Sequence, residues 1–351
     1  MWRSNSVILV LITCFALVSG EPKVPCHFIF GDTLSDPGNN NKFLTIAKAN
    51  YPPYGVDFPR GIPTGRFTNG RNIADFLTQY LGFEKLTTPY ENQMSQDILK
   101  GVNFASGVGG ILTVTGIHVG DRVWMDRQIL NYKTTITKLQ SMVEGPVANY
   151  LNKCLYTINL GSEDYVNNYF MPLLYPTKKL LNKNQFAELL IARYREQLQT
   201  LYNSGARKIA IFGLFPIGCT PAEITKNNGT QCNEEINQAV EIFNKKLVSL
   251  ADYFNGKHPE ARFTFINFAA IQAQIPLPQG SITNSTCCKL GITFLCAPFA
   301  PPCPDRNLYA FMDGYHPTEA LNEIVANISF NSTNPIFVHP MNIKEVIGRL
   351  T

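Results

Sequence analysis

Along almost the whole chain, short apolar runs rich in β-branched and aromatic residues alternate with longer amphipathic stretches, and this rhythm narrows the choice of fold more than any other feature. Residues 27–30, 101–105, 155–160, 208–214 and 263–268 read as strands. Their apolar residues are continuous rather than alternating, the pattern of strands covered on both faces. Residues 186–202 put Phe186, Leu190, Tyr194, Leu198 and Leu201 on one helical face and stop at Gly205. Residues 233–254 repeat the pattern with Ile236, Val240, Phe243, Leu247, Leu250 and Phe254. Strand, helix and strand in repetition imply an α/β fold, with a parallel sheet between two helical layers.

Two segments break the rhythm. Residues 51–70 carry Pro52, Pro53, Pro59 and Pro63 with Gly55, Gly61 and Gly65, so an ordered, non-helical loop is expected. Residues 275–305 are rich in proline and hold Cys287, Cys288, Cys296 and Cys303. They read as a disulfide-tied loop excursion, too short to build a core of its own. Without a repeat or flexible linker, residues 21–351 read as one domain. Disorder is excluded by a composition of 45% apolar and 16% charged residues. The 30 basic residues against 26 acidic ones include no basic run, so there is no electrostatic footprint for nucleic acid.

Residues 1–20 read as a secretory signal. Arg3 precedes an apolar core from Val7 to Val18, about twelve residues where a spanning helix needs ~20, and Val18 and Gly20 are small residues suited to a cleavage site. No later stretch qualifies as an integral membrane segment, and Gly348-Arg349-Leu350-Thr351 forms neither an anchor tail nor a retention signal. The expected destination is the secretory pathway, with export from the cell. Cleavage would remove Cys14 and leave eight cysteines, an even count that favours disulfides in an oxidising compartment. Zinc is the rival, but no histidine lies at ligand spacing and Cys287-Cys288 is not a Cys-x-x-Cys pair, so no metal site is assigned. Sequons at Asn228, Asn284, Asn327 and Asn331 fit glycosylation, although a helical Asn327 would make its match an unused one.

An open parallel sheet gathers its functional groups at the carboxyl ends of its strands. Those ends read Gly31-Asp32-Thr33-Leu34-Ser35-Asp36, then Ala105-Ser106-Gly107-Val108-Gly109-Gly110, then Gly161-Ser162-Glu163-Asp164. Far downstream, Asp313-Gly314-Tyr315-His316-Pro317 opens a last helix. Pro317 disfavours the helical region for His316, leaving the imidazole on an extended residue. Asp313, three residues earlier, could bond one ring nitrogen and leave the other as a base. The plainer alternative is an Asp that caps a turn beside a surface histidine. His27, His118, His258 and His339 lack a comparable partner and read as structural.

Five blocks in order resemble the plant-type GDSL esterase/lipase family of the SGNH hydrolases, from about Pro25 onward. They are Phe28-Ile29-Phe30-Gly31-Asp32-Thr33-Leu34-Ser35-Asp36-Pro37-Gly38-Asn39-Asn40-Asn41, then Tyr54-Gly55-Val56-Asp57-Phe58-Pro59 with Gly65-Arg66-Phe67-Thr68-Asn69-Gly70, then Gly101-Val102-Asn103-Phe104-Ala105-Ser106-Gly107. Phe215-Pro216-Ile217-Gly218-Cys219 with Pro221, and Asp313 to Glu319, complete the set. The resemblance implies a three-layer α/β/α, flavodoxin-like fold with a central, mostly parallel five-stranded sheet. It also implies hydrolysis of lipid or small-molecule carboxylic esters without a cofactor. On this chain the family's roles fall on Thr33 as nucleophile, His316 as base and Asp313 as its orienting partner. The oxyanion hole falls on Thr33, Gly107 and Glu163.

Two of those positions depart from the family. Threonine stands at 33 where the family has serine, and its extra methyl restricts χ1 and crowds the attack path. Ser35, two residues along a sharp turn, is expected to point away from His316. Glutamate stands at 163 where the family has asparagine, and an ionised carboxylate only accepts hydrogen bonds. Losing one oxyanion donor costs on the order of 3 kcal/mol, or roughly a hundredfold in rate. The escape is burial that raises the Glu163 pKa until it can donate; an inward shift of Asp164 is another. The expectation is therefore an ester hydrolase of low activity with a Thr33-His316-Asp313 triad, and its alternative is an inactive glycoprotein that binds a ligand or another protein.

Overall fold

The computed structural model describes residues 21–92, 96–274 and 279–348, so the signal at 1–20 lies outside the described residues. The five expected strands form as β1 (His27–Gly31), β3 (Val102–Asn103), β4 (Leu155–Asn159), β5 (Lys208–Phe212) and β6 (Arg262–Ile266). Every residue of β1, β4 and β5 is buried, which accounts for their unbroken apolar runs. The sheet nevertheless has seven strands rather than five. The additions are the edge strands β2 (Thr88–Pro89) and β9 (Val338–His339), giving the order β2-β3-β1-β4-β5-β6-β9. Two residues are too few to show a hydrophobic period, and Pro89 is tolerated because β2 is an edge. All neighbours run parallel except β6 and β9.

Helices Met125–Leu139, Lys183–Asn203 and Glu234–Lys257 pack on one another, while Ile73–Tyr80, Phe268–Gln274, Glu319–Asn331 and Ile343–Ile347 form a second group. The two groups are the outer layers of the sandwich. The helices read from the sequence start and stop within three residues of expectation, and the Asn182 side chain caps the first of them through Gln185 N–H at 3.0 Å.

The loop at 51–70 is non-helical apart from one 3₁₀ turn, Pro59–Gly61. The stretch read as a loop excursion contains a strand, β7 (Ile282–Thr286), paired with β8 (Tyr309–Phe311) outside the main sheet. Cys26–Cys154, Cys219–Cys232, Cys287–Cys303 and Cys288–Cys296 are disulfides, which leaves none of these eight as a thiolate ligand. Among the described residues no helix is long and apolar enough to cross a membrane. The four sequon asparagines are exposed, with Asn327 on the helix Glu319–Asn331.

Candidate active site

The chain leaves β1 for β2 and β3 on one side and later returns to β4 on the other, so the connections part at the end of β1. A crevice at such a switch point is the usual ligand site of an open parallel sheet. Here a cavity of about 390 Å³ is lined by Thr33 and Leu34 after β1, Val108 after β3, Ser162 and Glu163 after β4, and His316. Most of its wall is apolar, including Ile46, Phe67, Phe170, Met171, Phe215 and Phe294. On one side Lys226 donates to Glu223 Oε1 at 2.7 Å and to the Tyr315 hydroxyl oxygen at 2.6 Å.

The turn that carries Thr33 is wound around Asp32. Leu34 N–H donates to Asp32 Oδ1 at 3.1 Å, and the N–H groups of Ser35 and Asp36 reach the Asp32 carbonyl at 3.1 and 3.0 Å. Thr33 thereby lines the cavity while Ser35 does not. The Thr33 hydroxyl donates to Glu163 Oε1 at 2.8 Å, and no hydrogen bond joins it to His316. Asn167 Nδ2 donates to Glu163 Oε2 at 2.5 Å. Gly161, at φ 119°, makes the turn that delivers Glu163, a conformation costly for residues with a Cβ.

Asp313 and His316 meet as their spacing suggests. His316 Nδ1 lies 2.8 Å from both carboxylate oxygens, and the N–H groups of Tyr315 and His316 each donate to Asp313 Oδ1 at 2.9 Å. The turn can form because Gly314 lies against Phe294: a Cβ there would stand 2.7 Å from the Phe294 carbonyl oxygen. The Phe67 ring covers the imidazole at a centroid distance of 4.9 Å.

Burial governs the charges. It raises the Glu163 carboxyl, against the lowering pull of its bonds from Thr33 and Asn167. Asp32 is raised by burial and then by Glu163, while Ser162 Oγ donates to its Oδ2 at 2.5 Å. For His316, burial alone lowers the pKa, but Asp313, helped by Glu163 and Asp32, overcomes it and holds the imidazole above its ordinary value. Asp164 is turned away: it accepts from the N–H groups of Ile111 and Leu112 and from the Thr115 hydroxyl, and burial sets it at about 6.

Gly107 does not line the cavity, and its N–H donates to Asp36 Oδ2 at 2.8 Å. The neighbouring Val108 does line it, at φ 60°, an unusual conformation for a β-branched residue. Among the described residues, the N–H groups of Thr33 and Val108 donate to no protein acceptor. Val108, Asn167 and Tyr54, whose hydroxyl donates to Asp313 Oδ2, escaped the sequence reading. Valine in a run of glycines was the signal available for the first, and a place in a family-like block for Tyr54; Asn167 had none. Of the remaining histidines, His118 lines the cavity and meets the Tyr175 hydroxyl at 2.9 Å, whereas His27 is buried between Thr78 and Thr157.

Residues 28–328 match the family model described as GDSL-like lipase/acylhydrolase. A GDSL esterase/lipase of Arabidopsis thaliana is 43% identical, with 97% of each chain covered, and a second from the same plant is 44% identical with 94% of each covered. Among solved structures, an aryl esterase of M. smegmatis aligns at 15% identity and TM-score 0.36, covering 86% of this chain and 94% of its own. This chain belongs to the GDSL-like lipase/acylhydrolase family.

Proposed function

We propose that this chain hydrolyses carboxylic esters with apolar acyl groups, slowly, with Thr33 as nucleophile, His316 as general base and Asp313 as the group that orients it. The reading rests on one observation: Thr33 and His316 line a single cavity whose walls are largely apolar. In the reaction, the Thr33 hydroxyl oxygen attacks the ester carbonyl as its proton passes to His316 Nε2. The alcohol leaves with that proton, and water then releases the acid by the same route. Charge on the carbonyl oxygen falls to the N–H groups of Thr33 and Val108, because Gly107 serves Asp36 and Glu163 accepts from Thr33.

Low rate follows from the same contacts. The nucleophile's proton faces Glu163 rather than His316, and a side-chain donor to the oxyanion is missing unless Glu163 is protonated. Hydrolysis of a short-chain p-nitrophenyl ester, abolished by His316→Ala, is the test. Activity that survives His316→Ala arises elsewhere and removes the proposal.

The bond from Thr33 to Glu163 also favours a second reading, an inactive glycoprotein that holds an apolar ligand in the cavity. Labelling of Thr33 by a fluorophosphonate decides for hydrolysis; saturable binding of an apolar ester without turnover decides for the alternative. Four disulfides and exposed sequons support export through the secretory pathway, with residues 1–20 as signal and 21–351 as one domain.

A further inference from the structure

Tyr54 is almost completely buried, yet its hydroxyl is fully engaged on both sides. It donates to Asp313 Oδ2 and accepts from Cys296 N–H at 3.0 Å. Cys296 is bound to Cys288, and the loop they close is fastened to the strand that leads into Asp313. Cys287 N–H donates to the Phe311 carbonyl at 3.0 Å, and Cys288 N–H to the Met312 carbonyl at 3.1 Å. Tyr51, whose ring lies edge-on to that of Tyr54 at 5.4 Å, holds the same loop by donating to the Cys296 carbonyl at 3.0 Å. The phenol thus bridges the proline-rich segment, the disulfide-tied loop and the aspartate.

The two oxygens of Asp313 are held by different means. Oδ1 accepts two backbone N–H groups of its own turn, whereas Oδ2 has Tyr54 as its donor from outside the turn. A donor on a carboxylate oxygen draws charge away from the imidazole that faces it, and a phenol that itself accepts from an N–H is a stronger donor. The other charged groups facing His316 are Glu163 and Asp32, from the turns after β4 and β1, while Tyr315 and Phe67 contribute uncharged rings.

We propose that Tyr54 is a positioning residue for the Asp313–His316 pair: its hydroxyl, fixed by the backbone of the disulfide-tied loop, sets how strongly the carboxylate holds the imidazole. Only the consequence for rate rests on the hydrolase reading; the coupling itself is a property of the folded chain.

The experiment is an NMR titration of the histidine ring protons in the wild-type protein and in Tyr54→Phe, with the His316 signal assigned by its loss in His316→Ala. Removing the phenol donor leaves Oδ2 with more charge toward the ring. The His316 pKa should rise by roughly half to one unit, a three- to tenfold gain in proton affinity. Tyr51→Phe loosens the same loop without removing a donor to Asp313 and should leave the titration in place. An unmoved His316 in folded Tyr54→Phe, or an equal shift in Tyr51→Phe, overturns the proposal. Should Tyr54→Phe not fold, the double variant Cys288→Ser, Cys296→Ser frees the Cys296 N–H, and a smaller shift in the same direction is required. Where ester hydrolysis is measurable, the acid limb of kcat/KM should move with the NMR value at unchanged KM. If no variant hydrolyses an ester, the hydrolase reading fails while the titration still decides the role of Tyr54.

Discussion

The Thr33 hydroxyl donates its hydrogen bond to Glu163 Oε1 at 2.8 Å, so the proposed nucleophile and the residue in the oxyanion position are bonded to each other. In the proposed reaction, a carboxylate in that place would withhold a donor from the transition state and keep the hydroxyl proton directed away from the base. The two departures from the family pattern therefore act as one unit, and their effects on rate should not add.

Thr33→Ser alone should raise ester hydrolysis little, because Glu163 still holds the hydroxyl. The double variant Thr33→Ser, Glu163→Asn restores a side-chain donor and releases the nucleophile, and should be faster than wild type by about a hundredfold or more. Initial rates on a short-chain p-nitrophenyl ester measure both. A single variant as fast as the double one would contradict the coupling.

In the proposed role of base, His316 must be neutral, and Asp313, Glu163 and Asp32 hold its pKa above the ordinary imidazole value against the lowering effect of burial. The wild-type rate should therefore climb with pH through a limb lying above the usual histidine range. Glu163→Asn removes one of those negative charges, so its limb should move to lower pH. A pH profile of kcat/KM for both proteins tests the direction, and a limb that stays or moves upward counts against it.

His27 is fully enclosed, and burial lowers its pKa to about 3. The folded protein keeps the ring neutral while the unfolded chain protonates it below about 6.5. The depressed value means that the stability this group supplies is present above pH 6.5 and is lost as pH falls toward 3. The full loss is on the order of 4–5 kcal/mol. His27→Gln keeps a donor and an acceptor between Thr78 and Thr157 but cannot charge. Its stability relative to wild type, from denaturant midpoints, should improve steadily between pH 6.5 and pH 4.

Arg66 and Asp75 form a buried bidentate pair, Nε to Oδ2 at 2.6 Å and Nη2 to Oδ1 at 2.8 Å. Asp75 also caps its helix by accepting from Asn72 N–H at 2.9 Å. Arg66→Met strands that carboxylate without its partner and should cost about 3–5 kcal/mol. Thermal unfolding measures it. The damage should reach the cavity too, since the adjoining Phe67 covers His316.

What the chain reveals unfolded is whatever local physics decides. Burial of short runs on both faces shows in their unbroken apolar residues, so β1, β4, β5 and β6 and the two long helices are legible. The Asp313–His316 pair is legible for the same reason, because its partners are three residues apart and Pro317 holds the second of them extended. Contacts between distant segments are not. Thr33 meets Glu163 across 130 residues, Gly107 reaches Asp36 across 71, and Tyr54 reaches Asp313 across 259. Motif order could name the groups that gather at the end of β1, but not which acceptor each donor would find. That choice belongs to the packed sheet, where the Thr33 hydroxyl and the Gly107 N–H each find a carboxylate brought in from a distant segment.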